Sequence, residues 1–287
     1  MRVSVIIPCF NAAETIALQL DAIARQSVAP WEVIVADNGS TDNSRAIALQ
    51  YQDQLPNLKI VDASGRRGAA HARNRGAAVA TGEVLAFCDA DDVVSAEWVA
   101  GVTEAVTLHP FIASRFEHRL LNNGYQVCEA PEGSQVDRLQ QFDPPFLPHA
   151  GGCGLAIVRS LHEAIGGFDE DMPFLEDTDY CLKVQLHGIP LHFASNACVH
   201  IRAHSSLRRA YRQAFLWGRS SVLLYKKYRP YGMQRHPWRV SLRHWLGFLW
   251  WSARSLVSRS RDGVWIRAVG WRMGQLAGCI RYRVLAL

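Results

Sequence analysis

Residues 84–92 read Val84-Leu85-Ala86-Phe87-Cys88-Asp89-Ala90-Asp91-Asp92, a mostly apolar run that ends in closely spaced aspartates. An apolar run of this length predicts a buried strand. The aspartates at its carboxyl end are hard oxygen ligands, which suit Mg²⁺ or Mn²⁺, and these ions in turn hold phosphates. Because acidic turns after strands are also common, this segment alone leaves two interpretations open: a plain turn, or a metal site for a phosphorylated substrate.

Similar apolar runs recur through the N-terminal half and alternate with helical patterns. The pattern predicts strands at residues 3–8, 32–36, 58–61 and 83–88, and helices at 12–26, 41–51, 69–80 and 95–109. This alternation is typical of βαβ units with a mostly parallel sheet. Ligands of such sheets bind at the carboxyl ends of the strands. We therefore expect the polar loops at 8–11, 37–42 and 89–91 to meet at one edge.

The pattern is less regular after residue 110. A glycine-rich run at 151–154 precedes a predicted strand at 155–158. A helix is predicted at 177–187 and a strand within 189–200. The remaining sequence predicts three helices, at about 205–228, 238–258 and 264–284.

The charge distribution divides the chain near residue 200. Residues 1–200 hold 13 Lys and Arg against 25 Asp and Glu, whereas residues 201–287 hold 18 Lys and Arg against one acid, Asp262. Seven of the nine tryptophans also lie in this basic part. We predict a main domain over 1–204, followed by a helical region over 205–287.

The basic, Trp-rich region has two open interpretations. Arg mixed with Trp suits an anionic membrane surface, where the helices would lie on the bilayer. They should not cross it, because the longest uncharged stretch, 245–253, has nine residues and a span needs about 20. Alternatively, this is an ordinary helical subdomain whose arginines face the acidic main domain. Nucleic acid is a poorer partner, because the main domain is acidic and no binding motif occurs.

The cysteines and the N-terminus favour the cytoplasm. The seven cysteines are scattered and form no Cys-x-x-Cys pair, so the sequence predicts neither a disulfide framework nor a zinc site. The first apolar stretch, 3–8, is too short for a signal peptide. We predict a cytoplasmic protein. If the basic, Trp-rich helices lie on the bilayer, the protein would be attached peripherally to the inner face of the membrane.

Five loop motifs, in this order, resemble those of the family 2 glycosyltransferases, which have the GT-A fold. The matching segments lie at 5–11, 33–42, 70–76, 87–92, and 166–170 with 176–179. This resemblance covers residues 3–200. It implies a Rossmann-like α/β fold with a mostly parallel central sheet flanked by helices, in which 1–110 binds the nucleotide sugar and 111–204 faces the acceptor. Asn38 departs from the family's usual second Asp, which leaves the choice of base less defined.

The resemblance implies a donor site formed by Pro8, Phe10, Asp37, Asn38, Arg73 and Asp89. Asp91 is expected to bind the metal, Mg²⁺ or Mn²⁺, and Asp89 to meet the ribose or a metal-bound water. His200 is expected at the metal or the diphosphate, with a structural histidine as the alternative. Arg73 has the alternative of a surface helix arginine. Asp92 is assigned to the N-terminal cap or first turn of the helix at 95–109, and Asp42 to the first turn of the helix at 41–51.

On the acceptor side, the resemblance implies that Asp177 is the general base and that Glu176 contacts or supports the acceptor. A carboxylate aimed at the reacting centre is the natural group to accept the acceptor's proton. The helix dipole alone also favours Glu-Asp at a helix start, so a structural role stays open. Gly152, in the glycine-rich run, would let the backbone approach a sugar closely.

We therefore expect a metal-dependent inverting glycosyltransferase. It would move a sugar from a nucleotide-diphosphate donor to a hydroxyl of a glycan or lipid-linked acceptor, in cell-envelope polysaccharide or glycolipid synthesis. Processive members of the family carry a Gln-x-x-Arg-Trp motif, and none occurs in this sequence. The resemblance therefore favours the addition of one sugar per encounter. Two alternatives are a polyprenyl-phosphate glycosyltransferase and a non-catalytic sugar-nucleotide or membrane-binding protein.

Overall fold

The structure is a computed structural model that describes residues 1–122, 135–203, 206–257 (without the side chains of 255–257) and 263–286. The chain divides into two compact units. The first comprises Met1–Gln140, Pro148–Met172 and Glu176–Ala203, and the second comprises Gln141–Leu147, Pro173–Leu175 and His204–Leu287. The domain boundary predicted between residues 204 and 205 lies outside the described residues and stays a prediction.

The described part of the first unit contains eight strands: β1 (Val3–Cys9), β2 (Glu32–Asp37), β3 (Leu58–Asp62), β4 (Val84–Phe87), β5 (Val93–Val94), β6 (Phe111–Glu117), β7 (Leu155–Val158) and β8 (His192–His200). They form one sheet in the order β3-β2-β1-β4-β7-β6-β8-β5. Four of the seven neighbouring pairs are parallel, including all of β3-β2-β1-β4. The predicted α/β fold is confirmed, and the antiparallel pairs all lie beyond β4.

Helices cover both faces of this sheet: α1 (Ile16–Ala24), α2 (Ser44–Leu49), α3 (Ala69–Val79), α4 (Trp98–Leu108), α5 (Arg159–Ala164) and α6 (Glu176–Leu186). Side chains alternate along a strand, so neighbouring residues of β1 enter different cores. Ile7 packs on the face that contains Trp98, whereas Ile6 packs on the face that contains Tyr180. Burial on both faces explains why these strands are apolar throughout.

Helices α1 and α2 begin later than the sequence predicts. The N–H of Thr41 donates to Asn11 Oδ1 at 2.8 Å, and the N–H of Ala13 donates to Asp42 Oδ2 at 3.0 Å. These hydrogen bonds hold residues 11–13 and 41–42 against each other as loops, so α1 begins at Ile16 and α2 at Ser44. The predicted starts at 12 and 41 are wrong for this reason.

The sequence did not predict β5, β6 or α5. In β6 the run is interrupted by Ser114 and Arg115, which hides its apolar character. Ser114 is nevertheless fully buried, and its Oγ accepts a hydrogen bond from Trp98 Nε1 at 2.9 Å. A polar residue whose hydrogen bond is made inside the protein can lie in the core, and periodicity does not reveal that partner.

The second unit contains three long helices: α7 (Leu207–Tyr228), α8 (Trp238–Val257) and α9 (Gly263–Tyr282). The predicted start of the first of these helices, residue 205, and the predicted end of the second, residue 258, lie outside the described residues. Glycines bring α7 and α9 close together, because a Cβ at Gly218 would collide with the backbone of Trp271 and one at Gly274 with the backbone of Phe215. Among the helices that the structure describes, none is long and apolar enough to cross a membrane.

Candidate active site

The carboxyl ends of β1 and β2 lie side by side. Cys9 is the register partner of Asp37, and the N–H of Asn38 donates to the carbonyl of Cys9 at 2.7 Å. β4 lies on the other side of β1, and the N–H of Cys88 donates to the carbonyl of Ile6 at 3.2 Å. The loops that follow these three strands therefore start from one edge of the sheet, as the alternation predicted.

Asn38 anchors the loop that leads into α3. Its Nδ2 donates to the carbonyls of Ala63 at 2.5 Å and Arg66 at 2.7 Å, and its Oδ1 accepts from the N–H of Gly68 at 2.9 Å. A carboxylate has no hydrogen to donate, so an Asp here would lose both donated bonds. The structure thus gives a local reason for the amide, and contact with a base stays a prediction.

The other donor-side predictions lie around the same two strand ends. The side chain of Asp37 is buried, and its Oδ1 accepts from the N–H of Ser40 at 3.0 Å. Pro8 lies within β1 as the register partner of Ala36. Phe10 follows β1 with 49% of its surface exposed. An exposed aromatic ring beside polar strand ends is a surface on which a base can stack.

Arg73 is a buried charge in this region. It lies on α3 with 3% of its surface exposed, Nη2 donates to Asp89 Oδ1 at 2.8 Å, and Nη1 donates to Glu176 Oε1 at 2.8 Å. Burial alone would lower the pKa of Arg73, but the carboxylates of Asp89 and Glu176 outweigh it and raise that pKa. The alternative of a solvent-exposed surface arginine is wrong.

Glu176 and Asp177 begin α6. Burial raises the pKa of Glu176, and the negative charge of Asp177 raises it further. Asp177 Oδ2 accepts from the N–H of Gly152 at 2.9 Å, and its Oδ1 accepts from the N–H of Thr178 at 2.7 Å. Two fixed donors therefore orient the Asp177 carboxylate, which is the pre-organisation that a general base needs.

Gly152 connects this carboxylate to Arg73. A Cβ at position 152 would lie 2.8 Å from Cζ and Nη2 of Arg73, so glycine is the residue that allows this close approach. The structure thus brings together Arg73, Asp89, Gly152, Glu176 and Asp177, which the sequence analysis assigned separately to donor and acceptor sides.

Asn74, next to Arg73, holds the segment at 166–170. Its Nδ2 donates to the carbonyl of Phe168 and to Glu170 Oε1, both at 2.9 Å, while its Oδ1 accepts from the N–H of Phe168 at 2.9 Å. Phe168 in turn places its ring 5.5 Å from the Arg73 guanidinium carbon. This contact is favourable for a cation over an aromatic ring, and it helps to fix the position of Arg73.

The position of Asp92 in the structure differs from the helix start to which the sequence analysis assigned it. It lies before β5 rather than at the start of α4, its side chain is buried, and its Oδ1 accepts from the N–H of Arg202 at 2.9 Å. Burial raises the pKa of Asp92 well above its usual range, and the nearby charges of Asp91 and Asp89 raise it further. The helix-start interpretation of Asp92 is wrong, because β5 separates it from α4.

The acidic loop after β4 fits a divalent cation. Within the described residues, one ligand atom from each of Asp89, Asp92 and Cys153 lies within 4.8 Å of the others. The carboxylate oxygens suit Mg²⁺ or Mn²⁺, whereas the thiol is a softer ligand. A cation would also offset the mutual repulsion that raises the pKa of Asp92.

Asp91 and His200 lie near this group but not within it. Asp91 lies two residues before Val93, and Val93 is the register partner of His200 in the pairing of β5 with β8. His200 Nδ1 lies 2.9 Å from Glu117 Oε2, so a carboxylate orients the ring, as is typical of metal-binding histidines. Despite its partial burial, hydrogen bonds from His200 and two backbone N–H groups lower the pKa of Glu117 to about 2. The metal-binding roles of Asp91 and His200 stay predictions.

Sequence reasoning missed several residues that shape this site. Glu117 had no motif signal pointing to it, since it lies on the unpredicted strand β6, and Cys153 lay inside the glycine-rich run at 151–154 with no role assigned to it. Arg202 also donates from Nε to the carbonyl of Asp91 at 2.8 Å, which ties the acidic loop to the residues that follow β8. Asn74 lies inside the motif at 70–76, between Arg73 and Arg75. Its place in that motif is the sequence feature that could have identified it.

The sequence matches the family model described as Glycosyl transferase family 2 over residues 4–166. The UDP-Glc:alpha-D-GlcNAc-diphosphoundecaprenol beta-1,3-glucosyltransferase WfgD of Escherichia coli is 36% identical over 190 residues, which cover 64% of this chain and 69% of that protein. Validoxylamine A glucosyltransferase of Streptomyces hygroscopicus subsp. limoneus is 29% identical over 221 residues, which cover 66% of this chain and 49% of that protein.

Two solved structures share the fold. The mannosyltransferase PcManGT from Pyrobaculum calidifontis, in complex with GDP-Man and Mn²⁺, aligns with a TM-score of 0.63 at 22% identity, over 99% of this chain and 76% of its own. The S. aureus TarS 1-349 complex with UDP-GlcNAc aligns with a TM-score of 0.54 at 22% identity, over 78% of this chain and 67% of its own. At this identity the structural likeness shows the fold alone.

Proposed function

This chain belongs to glycosyltransferase family 2, and we propose that it transfers a sugar, with inversion, from a nucleotide-diphosphate donor to a hydroxyl of a glycan or lipid-linked acceptor. Family membership and the named transferase relatives support an enzyme, so the non-catalytic alternative is not retained. One observation carries the proposal. The buried Arg73 bridges Asp89, on the predicted donor side, and Glu176, on the predicted acceptor side, with an oriented Asp177 next to Glu176.

The donor would bind across the ends of β1, β2 and β4. Phe10, Asp37 and Asn38 lie where a base and ribose would meet the sheet edge, and Asp89 and Arg73 lie where the diphosphate and sugar would follow. Relatives and structural neighbours use or bind nucleotide sugars: UDP-Glc for the E. coli enzyme, and UDP-GlcNAc and GDP-Man for the two structural neighbours. They support the donor class.

The cofactor in this proposal is Mg²⁺ or Mn²⁺. Asp91 would hold it with His200, and Asp89 and Asp92 would supply further negative charge from the same loop. When bound, a divalent cation neutralises the charge that develops on the leaving diphosphate. Support comes from the carboxylates of Asp89 and Asp92, whose ligand atoms lie with the Cys153 thiol within 4.8 Å of one another, and the Mn²⁺ in the Pyrobaculum calidifontis structure is consistent with a divalent cation.

Transfer requires one proton to move and one bond to be exchanged. The acceptor hydroxyl gives its proton to Asp177 as its oxygen bonds to the anomeric carbon from the face opposite the leaving group. The bond between that carbon and the diphosphate oxygen breaks, and its electron pair leaves with the nucleotide. The N–H groups of Gly152 and Thr178 keep Asp177 oriented, and Arg73 places positive charge between donor and acceptor carboxylates.

The acceptor is a sugar hydroxyl, carried in this proposal by a polyprenyl-diphosphate glycan of cell-envelope synthesis. The support is the E. coli relative, whose name specifies alpha-D-GlcNAc-diphosphoundecaprenol and a beta-1,3 linkage. This favours a lipid-linked glycan over the bare polyprenyl phosphate considered from sequence. Catalysis would then take place at the cytoplasmic face of the membrane that carries the acceptor.

The test is sugar transfer and nucleotide release with UDP-, GDP- and dTDP-sugars, Mn²⁺ or Mg²⁺, and a synthetic GlcNAc-diphospholipid. Asp177→Asn should lower kcat about 100- to 10,000-fold, because the base is lost, while donor binding is kept. Asp171→Asn is the matched control: its side chain is 88% exposed and pairs with Arg66 on the surface, so its rate should stay at the wild-type value. Wild-type turnover by Asp177→Asn would contradict the proposal.

A further inference from the structure

Helix α8 carries many apolar residues that the described part of the chain does not bury. Ten of the 17 residues at 238–254 are Trp, Phe, Leu, Val or Ala, yet no side chain described in α8 is buried. A Cβ at Gly247, near its centre, would have no atom within 4 Å. A helix with this composition gains stability only if another apolar phase covers it.

The exposed apolar side chains of α8 share one face. At 100° per residue they project within an arc of about 120°, and the largest of them are Trp238, Leu242, Leu246, Leu249 and Trp250. Their exposed fractions run from 50% for Leu242 to 70% for Trp238. The half-buried aromatic residues Trp245, Phe248 and Trp251 occupy a separate arc of about 120°. We call the exposed set the apolar face of α8.

Arginines line the edge of this face. Arg239, Arg243 and Arg254 project between about 100° and 160° from Trp238 on the same wheel. The Cζ of Arg239 lies 5.5 Å from the Trp238 ring centroid, and the Cζ of Arg254 lies 5.7 Å from that of Trp250. Arg and Trp side chains combine an apolar body with a polar end, which suits the boundary between lipid headgroups and acyl chains.

We propose that the apolar face of α8, with its arginine edge, is a docking surface for an anionic lipid bilayer. Residues 201–287 hold 18 Lys and Arg and one acid, Asp262, so the region is complementary to anionic headgroups. A second copy of the chain is a poorer occupant, because it would bring the same arginines against each other. The helix would lie in the interface with its leucines among the acyl chains.

This inference does not rest on the transferase activity, since every residue of the proposed docking surface lies on α8. It would place the catalytic chain at the surface that carries a lipid-linked acceptor. Because the two proposals use different residues, each can fail while the other stands.

The test is sedimentation of the purified full-length protein with vesicles of phosphatidylcholine and phosphatidylglycerol, and with phosphatidylcholine alone. We expect binding to the anionic vesicles that weakens with salt. The double variant Leu246→Glu/Leu249→Glu should lower the partition constant about 100-fold, because transferring each leucine into hydrocarbon favours binding about tenfold. Leu108→Glu is the matched control, since Leu108 is 72% exposed at the end of α4 in the first unit, and it should bind like the wild type.

Several outcomes would overturn the inference. One is a wild-type protein that ignores anionic vesicles, and another is a double variant that binds them as the wild type does. Light scattering gives the third: a wild-type dimer that the double variant abolishes would assign the face to self-association. Circular dichroism and donor turnover of the double variant, measured without vesicles, show that it is folded, so loss of binding is not mistaken for unfolding.

Discussion

A single methyl group at Gly152 tests whether the position of Arg73 matters for transfer. In Gly152→Ala the new Cβ would lie 2.8 Å from Cζ and Nη2 of Arg73 and 3.0 Å from Nη1. Carbon atoms in good contact lie about 3.5–4.0 Å apart, so the guanidinium must move by about 0.7 Å or more. The N–H that donates to Asp177 is unchanged, because alanine retains it.

A shift of this size acts on both ion pairs of Arg73. Its Nη groups lie 2.8 Å from Glu176 and 2.8 Å from Asp89, and a lengthening of about 0.7 Å takes either pair beyond the usual hydrogen-bond limit of about 3.2 Å. Misplacing a catalytic-site group by about 1 Å costs about 100-fold in rate. We therefore expect kcat to fall about 100-fold, while overpacking lowers the free energy of unfolding by about 1–3 kcal/mol.

The assay is nucleotide release at saturating donor and acceptor, alongside urea unfolding of the same preparations. Gly151→Ala is the control, because its Cβ would lie 3.0 Å from the Phe116 ring and away from Arg73. It adds the same methyl group one residue earlier, so it should lose stability but turn over within a few-fold of the wild type. In an Arg73→Met background, Gly152→Ala should cause no further loss. A Gly152→Ala enzyme with wild-type kcat would refute the reasoning.

Two predictions concern stability and pH. Glu32 is buried, and hydrogen bonds from Lys59, Ser4 and Thr81 outweigh the cost of burial and lower its pKa to about 2. Glu32→Gln should therefore lower the free energy of unfolding at pH 7 by about 2 kcal/mol. Because a lowered carboxyl pKa stabilises the fold above pH 4.5 and does so less as the pH falls towards 2, the variant should also lose less stability than the wild type over that pH range. Burial lowers the pKa of His162 to about 4, so between pH 6.5 and 4 the imidazole is protonated in the unfolded chain but not in the folded one. The neutral imidazole's contribution to the free energy of unfolding is complete above pH 6.5 and should fall by about 2 kcal/mol by pH 5. Urea titrations at several pH values measure both effects; a Glu32→Gln variant as stable as the wild type, or a His162→Phe variant with an unchanged fall in stability from pH 7 to 5, would contradict them.

The fold of the first half could be predicted from sequence because its strands carry strong local signals. The run at 3–8 became β1 and the run at 32–36 became β2, each nearly to the residue. Such strands are buried on both faces, so their apolar character is continuous and easy to detect. The unpredicted strand β6 contains Ser114 and Arg115, and what allows Ser114 inside is a hydrogen bond from Trp98, a partner that local patterns do not show.

The site residues could be named from motifs, but their pairings could not. Arg73 and Glu176 lie 103 residues apart in sequence, and no periodicity indicates that they form an ion pair. The same limit applies to Asp92, which looked like a helix-start acid. It is buried and bound to the backbone of Arg202 instead, because the short strand β5 intervenes before α4.

Asn38 shows the opposite case, in which the structure explains a departure in sequence. The amide looked like a weakened base-contact residue, since a carboxylate is usual at that position of the family's motif. In the folded chain it donates two hydrogen bonds to backbone carbonyls of the loop before α3. A requirement for hydrogen-bond donors, rather than a change of base, is sufficient to account for Asn38.

The most direct test of the central claim, a metal-dependent nucleotide-sugar transferase, is calorimetric titration of the full chain with UDP- and GDP-sugars, with Mn²⁺ and then with EDTA. The account predicts binding of one nucleotide class that requires the metal, is lost in Asp91→Ala, and is retained in Asp177→Asn, whose role is confined to the proton. Binding that is equally strong in EDTA, or that Asp91→Ala leaves intact, would contradict it.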